Sequence, residues 1–269
     1  MTETLGTRLR RARLAAGLTL RETARSLEVS AATWSAIENG HTRISEPRLL
    51  AAARLFDADA EALRTPPATP PAARTWRDFP PLQLAAPLSG ALEAFVELGY
   101  HGAGIRDIAQ RAGLSVAGIY HHWPTKQHLL VALLDLTMDD LLERCRAARA
   151  EGDGPAERLS RLVECLALYH THRRELGFIG ASEMRSVDEP DRTRIAAARQ
   201  DVQRMVDEEV DEGCRRGLMT TTLPRDAARA VVTMCTALPQ WWHPTGPSSA
   251  EVVATRYVEF ALDVVRAAH

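Results

Sequence analysis

The sequence predicts an all-α fold, and three observations carry that prediction. Apolar residues recur at helical spacing. Leu159, Leu162, Val163, Leu166 and Tyr169 form one stripe; Ile195, Ala198, Val202, Met205 and Val206 form a second; Val253, Tyr257, Phe260, Ala261, Val264 and Val265 form a third. No run of Val, Ile and Thr alternates with polar residues for long enough to line a sheet, and no Asn-Gly or Asp-Gly pair sits between such runs as a hairpin signal. Helical stretches are instead punctuated by glycine and proline, at Gly152–Pro155, Gly177–Gly180, Pro190, Gly213–Pro224 and Pro244–Pro247.

At 269 residues and 45% hydrophobic, the chain has enough apolar surface for packed cores in about two domains. The opening segment MTETLGTRLRRARLAAG is charged and amphipathic and lacks the apolar centre of a signal peptide. No stretch approaches the ~18 apolar residues of a membrane span, so a cytoplasmic protein is expected. Residues 1–64 read as a first helical domain. TPPATPPAARTWRDFPP, from Thr65 to Pro81, then holds six prolines. These deny helix hydrogen bonds and favour an extended, semi-rigid spacer. Helical spacing resumes over residues 82–130 and 131–269.

The formal net charge of −2 conceals an asymmetry: +2 over residues 1–64, +1 over 65–130 and −5 over the last 139 residues. Six arginines against two acids crowd residues 1–25. A basic front on an acidic body fits contact with nucleic-acid phosphates, although a solvated face accounts equally well for the charge alone. Cys145, Cys165, Cys214 and Cys235 lie far apart with no CxxC, which indicates neither a zinc ribbon nor a disulfide framework. Enzyme readings lack an inventory: there is no glycine-rich phosphate loop, GxSxG or HExxH. Neither a cofactor nor a metal site is expected. His121 and His122 point about 100° apart on a helix, and His170 and His172 share no helix face.

An internal repeat narrows the function class. RETARSLEVSAATW (Arg21–Trp34) lies over RDIAQRAGLSVAGI (Arg106–Ile119) without a gap, at an offset of 85 residues. Arg21 pairs with Arg106, Glu22 with Asp107, Ala24 with Ala109, Val29 with Leu114, Ser30 with Ser115 and Ala32 with Ala117. A small Ala lets a second helix cross the first closely, Val or Leu is expected to bury the turn, and Ser caps the second helix. Generic helical hairpins share some of these features, but two such units within 120 residues fit paired helix-turn-helix readers of the major groove.

Each copy resembles a different family. LGTRLRRARLAAGLTLRETARSLEVSAATWSAIENGHTRIS, with the later LLAAARLFDAD, resembles a five-helix Cro/xenobiotic-response-element helix-turn-helix domain. GYHGAGIRDIAQRAGLSVAGIYHHWPTKQHLL resembles the N-terminal domain of the tetracycline-repressor (TetR/AcrR) family, and the acidic helical remainder fits that family's effector and dimerisation domain. In the second unit the resemblance assigns Val116–His122 as recognition helix with Ser115 as its cap. It implies base or phosphate contacts from Arg106, Val116, Ala117, Gly118, Tyr120, His121 and His122, and a phosphate held by Lys126 at the next helix start. The sequence departs from the family at Ala103–Gly104, where Thr or Ser usually caps, and at Val116, often polar. Thymine-methyl contact through Val116 and Ala117 therefore fits better than bidentate reading.

In the first unit, Thr33, Ser35, Asn39 and Arg43 are candidates to read or clamp DNA, with Arg10 and Arg21 on the backbone. Leu20 and Ala31 stand where the family commonly has Gln, which removes the usual adenine readers. That leaves open a domain that adds phosphate affinity, or one that serves as an interaction or dimerisation module. Trp34 is read as core, since its counterpart is Ile119.

For the body, the resemblance implies a ligand cavity and a homodimer through the last two helices, Arg225–Leu238 and Ser249–Ala267. Candidate ligand-binding residues are Tyr169, Arg173, Phe178, Met184, Arg185, Trp241 and Trp242; Tyr169 and Phe178 also read as core. The ending MCTALPQWWHPTGPSSAEVVATRYVEFAL resembles members that answer to acyl-coenzyme A thioesters. A ligand-independent dimeriser is the alternative. The expected partners are a double-stranded DNA operator, a second copy of the chain and a small-molecule effector, with no membrane. The expected place of action is a bacterial cytoplasm, on the nucleoid when DNA-bound.

Overall fold

The computed structural model describes residues 4–64 and 75–267, and the side chains there except those of Leu14, Ala15, Ala62, His121 and His122. The proline-rich stretch up to residue 74 lies outside the described residues. Every element among them is helical, apart from a single bridge between Met219 and Ala267. No helix among the described residues is long and apolar enough to cross a membrane. The chain divides into two compact units. One takes the chain up to Thr75, with Pro80–Ala91 and Ile105–Ala132; the other takes Trp76–Phe79, Leu92–Gly104 and everything from Leu133 onward.

In the first unit, α1 (Leu5–Ala15), α2 (Leu20–Ser26), α3 (Ala31–Glu38), α4 (Glu46–Leu55) and α5 (Ala60–Arg64) form the five-helix domain. Leu9, Trp34, Ile37, Leu49, Phe56 and Leu63 fill its core, with Trp34 edge-on to Phe56 at 6.0 Å. Thr19 and Glu22 close α2 with a capping box. Two arginines of the basic front prove structural. Arg13 is 1% exposed and grips Glu38 with two bonds of 2.7 and 2.9 Å, while its Nη1 donates to the Leu18 carbonyl. The Trp34 indole N–H donates to the same Glu38 carboxylate at 2.6 Å. Arg8, also buried, donates to the Leu63 and Arg64 carbonyls. The basic count of residues 1–25 therefore overstates the charge on offer to DNA by two. These guanidiniums tie α1 to the end of α3 and to the end of α5.

The chain then builds α6 (Ala86–Gly102), α7 (Ile105–Ala112), α8 (Val116–His122) and α9 (Lys126–Ala150). The second unit adds α10 (Pro155–His172), α11 (Arg174–Ser182), a short 3₁₀ turn (Met184–Ser186), α12 (Asp191–Arg215), α13 (Pro224–Thr236), α14 (Leu238–Trp241) and α15 (Ala250–Val265). α10 is the central helix, packed by α12, α13 and α15 and buried on nearly all sides from Leu159 to Thr171. Two of its buried polar side chains are satisfied within the helix, Thr171 and His170 donating to the carbonyls of Ala167 and Leu166. Glu209 of α12, 1% exposed, is clamped by Arg149 of α9 at 2.6 Å and Arg158 of α10 at 2.7 Å.

Three expectations need correction here. The break falls at Arg173, between α10 and α11, and α11 runs straight through Gly177 and Gly180. Gly177 is there for close approach: a Cβ on it would meet Pro239 at 2.9 Å and His170 at 3.1 Å. The penultimate helix ends at Thr236, with Leu238–Trp241 a separate turn. The third apolar stripe is not one buried face. On α15, Val253, Ala254, Ala261 and Val265 are buried, whereas Phe260 is 51% and Val264 40% exposed.

Candidate nucleic-acid interface

The two repeat copies fold alike, backbone contact for backbone contact. α2 and α3 form one helix-turn-helix, α7 and α8 the other. Ser30 Oγ accepts from the Thr33 N–H at 3.0 Å, and Ser115 Oγ accepts from the Gly118 N–H at 3.0 Å. The turn closes with Val29 N–H to Ala24 O in the first copy and Leu114 N–H to Ala109 O in the second, both 2.9 Å. Ala24 and Ala109 are buried at the helix crossing, and Trp34 and Ile119 are both fully buried. Each turn needs one left-handed residue. It is Gly113 at φ +66° in the second copy and Glu28 at φ +53° in the first. One expectation fails at the turn itself: Leu114 is 41% exposed. The backbone bond closes that turn, so burial of the side chain is not needed.

In the second copy Arg106, Ser115, Val116, Ala117 and Tyr120 are exposed, and Gly118 is half-buried in the first turn of α8. Leu114, Val116 and Tyr120, each more than a third exposed, give this head an apolar outer surface suited to thymine methyls. Lys126 opens α9, directly after Thr125, whose hydroxyl meets His128 Nδ1 at 2.7 Å. His121 and His122 belong to α8, but their side chains lie outside the described ones.

In the first copy Arg21, Asn39 and Arg43 are exposed, while Arg10, Thr33 and Ser35 are half-buried. Thr33 bonds Ser30 Oγ at 2.7 Å, and the Asn39 amide donates to Ser35 Oγ at 3.3 Å. Leu20 and Ala31 pack against the domain core, so neither offers a polar group to a partner.

The seven ligand candidates differ widely in burial. Tyr169 is fully buried and donates to the Thr137 carbonyl at 3.1 Å; burial pushes its phenol well above the usual range. Trp242 is buried, its N–H on the Ser248 carbonyl, while Trp241 is 54% exposed. Arg173 is buried between α10 and α11, Phe178 and Met184 are half-buried, and Arg185 is exposed. A surface cavity of about 490 Å³ is lined by Arg146, Arg149, Ala150, Gly152, Arg158 and Met205, none of them a candidate.

With this geometry in place, the kinship is direct. Residues 88–133 match the bacterial regulatory proteins of the tetR family, residues 152–265 the tetracyclin repressor-like C-terminal domain, and residues 4–65 a helix-turn-helix domain. The HTH-type transcriptional repressor KstR2 of Mycobacterium tuberculosis is 26% identical over 184 residues, 67% of this chain and 88% of KstR2. Its solved structure covers 68% of this chain and 94% of its own, with a TM-score of 0.64 at 24% identity. The HTH-type transcriptional activator FasR of Mycolicibacterium smegmatis is 36% identical over 85 residues, 32% of this chain but only 39% of FasR. AibR, solved with isovaleryl coenzyme A and operator DNA, has a similar fold: TM-score 0.60 and 24% identity, over 65% of this chain and 95% of AibR. The fold, its two helix-turn-helix units and its relatives define a DNA-binding transcriptional regulator. The chain belongs to the tetracycline-repressor family and carries an additional N-terminal helix-turn-helix domain of Cro type.

Proposed function

We propose that this regulator is an effector-responsive repressor acting in the cytoplasm as a homodimer, with residues 1–64 and 82–130 as DNA heads and 131–269 as sensor and dimeriser. The observation that carries the reading is the pair of matching heads, each with a Ser-capped second helix and a partly exposed outer face. The dimer is supported by Leu223, Trp241, Val252, Phe260 and Val264, all at least 40% exposed and all within the last three helices or just before them. On this reading Trp241 belongs to the dimer face. The effector is a hydrophobic small molecule, an acyl-coenzyme A being the class that AibR binds, with Arg173, Phe178, Met184 and Arg185 as its candidate contacts. Binding changes the separation of the second heads, which must stand about 34–36 Å apart to engage successive major grooves.

A second reading makes the first domain an interaction module. It is favoured by the burial of Arg8 and Arg13, which removes two cations from the DNA-facing charge. An unbiased DNA selection with the full chain separates the two. Lys126→Ala and Tyr120→Phe should weaken binding to all sequences, and substitutions of Val116 should change the preferred sequence. Arg21→Ala with Arg43→Ala should shorten the footprint and flatten the salt dependence if the first domain touches phosphates. An unchanged footprint assigns that domain to a partner, and no selected DNA at all refutes the regulator reading.

A further inference from the structure

Trp76–Phe79 stands just before the second head, where the sequence calls only for a spacer, yet these residues belong to the C-terminal unit. Trp76 is 5% exposed, with the Arg77 guanidinium 3.7 Å from its ring centre. Arg77 donates to both oxygens of Glu164 at 2.6 and 2.9 Å and to Glu151 at 2.9 Å. Arg144, steadied by Asp140, donates to the carbonyls of Trp76 and Asp78 at 2.8 and 3.0 Å. Phe79 stacks on His172 at 4.7 Å and 11°, meets the edge of Tyr169 at 6.3 Å, and lies 4.0 Å from the Arg144 guanidinium and 5.5 Å from that of Arg173. Aromatic, ionic and main-chain groups are thus all recognised within four residues.

The receptor has two halves. Asp140 and Arg144 come from α9 and Glu151 from the turn directly after it, and Glu164, Tyr169 and His172 come from α10. Arg77 bridges the halves through Glu151 and Glu164, and Phe79 bridges them between Arg144 and His172. A displacement of α9 against α10 by more than about 1 Å takes these bonds outside hydrogen-bond range. α9 also opens with Lys126, a candidate phosphate contact.

We propose that Trp76–Phe79 is an intramolecular clasp docked on the α9–α10 face, and that its closure is coupled to operator binding through α9. The coupling rests on the proposed function, in which the separation of the second heads differs between the operator-bound and effector-bound states, and on α9 being the helix that both opens with Lys126 and carries Arg144. Linkage then makes the effect reciprocal: whatever operator binding does to the clasp, loss of the clasp does in reverse to operator affinity.

The test uses the full chain, a duplex recovered by selection, and two variants, Arg77→Glu, which repels Glu151 and Glu164, and Phe79→Ala. Hydrogen exchange of a peptide spanning residues 75–85 is followed with and without the duplex, alongside operator affinity; thermal melting checks that each variant is folded. The duplex should change exchange of that peptide at least fivefold, and Arg77→Glu should change affinity at least fivefold. If the duplex slows exchange, the variant binds more weakly; if it speeds exchange, more tightly. Affinity changes below fivefold in folded Arg77→Glu and Phe79→Ala, or a mismatch of sign, overturn the proposal while leaving the regulator reading intact. A wild-type chain that retains no duplex refutes that reading and takes the clasp coupling with it.

Discussion

Glu38→Ala should unfold the first domain while leaving the rest of the chain standing. The Glu38 carboxylate is 3% exposed and holds three donors: two from Arg13, itself 1% exposed, and the Trp34 indole N–H. Removing it leaves a buried guanidinium without its carboxylate, while its Nη1 still donates to the Leu18 carbonyl. Breaking a buried ion pair from one side costs about 3–5 kcal/mol. A domain of some 60 residues is stable by only about 3–9 kcal/mol, so the loss consumes much or all of that margin. Hydrogen exchange of the full chain reads this by segment: α3 amides should exchange roughly a hundred- to several-thousand-fold faster, and α10 amides at unchanged rates. Replacing both partners, Arg13→Met with Glu38→Leu, should recover most of the loss, because no charge is then stranded. A Glu38→Ala chain whose α3 exchange rises less than tenfold would refute the reasoning, as would a double variant no better than the single.

Other outcomes follow from the same geometry. Glu28→Gly should stabilise the first domain by about 0.5–1 kcal/mol, since Glu28 holds the left-handed turn position that Gly113 fills in the other copy; slower α2–α3 exchange is the readout. Burial lowers the His170 pKa to about 4, against an unfolded value near 6.5. The unfolded chain therefore binds more protons between those values, and stability, full above pH 6.5, falls by up to about 3 kcal/mol as pH drops through 4. Urea midpoints should fall less between pH 7 and 4.5 for His170→Gln than for wild type, and equal slopes would rule out His170 as the cause. Phe260→Glu should convert dimers to monomers in sedimentation with little change in melting, because its ring is 51% exposed in the protomer; an unshifted dimer removes α15 from the interface.

Local chemistry was legible in the sequence, and partners distant along the chain were not. The Ser caps and the crossing alanines follow from short-range rules and stand where the repeat put them, and the bounds of α8 stand where the family resemblance put them. Arg13 looked like one more cation in a basic front because its partner, Glu38, lies 25 residues away. Gly177 looked like a helix break because the sequence does not reveal that Pro239 needs the space. Trp76 and Phe79 were absorbed into a spacer by the surrounding prolines, although two aromatics flanking Arg-Asp were a signal that this stretch had something to bind. Residue type and helical spacing leave Tyr169 open as core or pocket wall, and only its complete burial shows it packed in the core.

α9 has a mechanical consequence of its own. Its 25 residues make a rod of roughly 37 Å. Near one end Arg149 is pinned to the buried Glu209, and at the other stands Lys126. Pivoting about the pinned end by about 5° sweeps the Lys126 end through roughly 3 Å, the length of a hydrogen bond. If Lys126 holds a phosphate as proposed, a ligand that tilts this rod by a few degrees needs no large rearrangement of its own surroundings: the helix's length multiplies a small push at one end into a displacement of one hydrogen-bond length at the other.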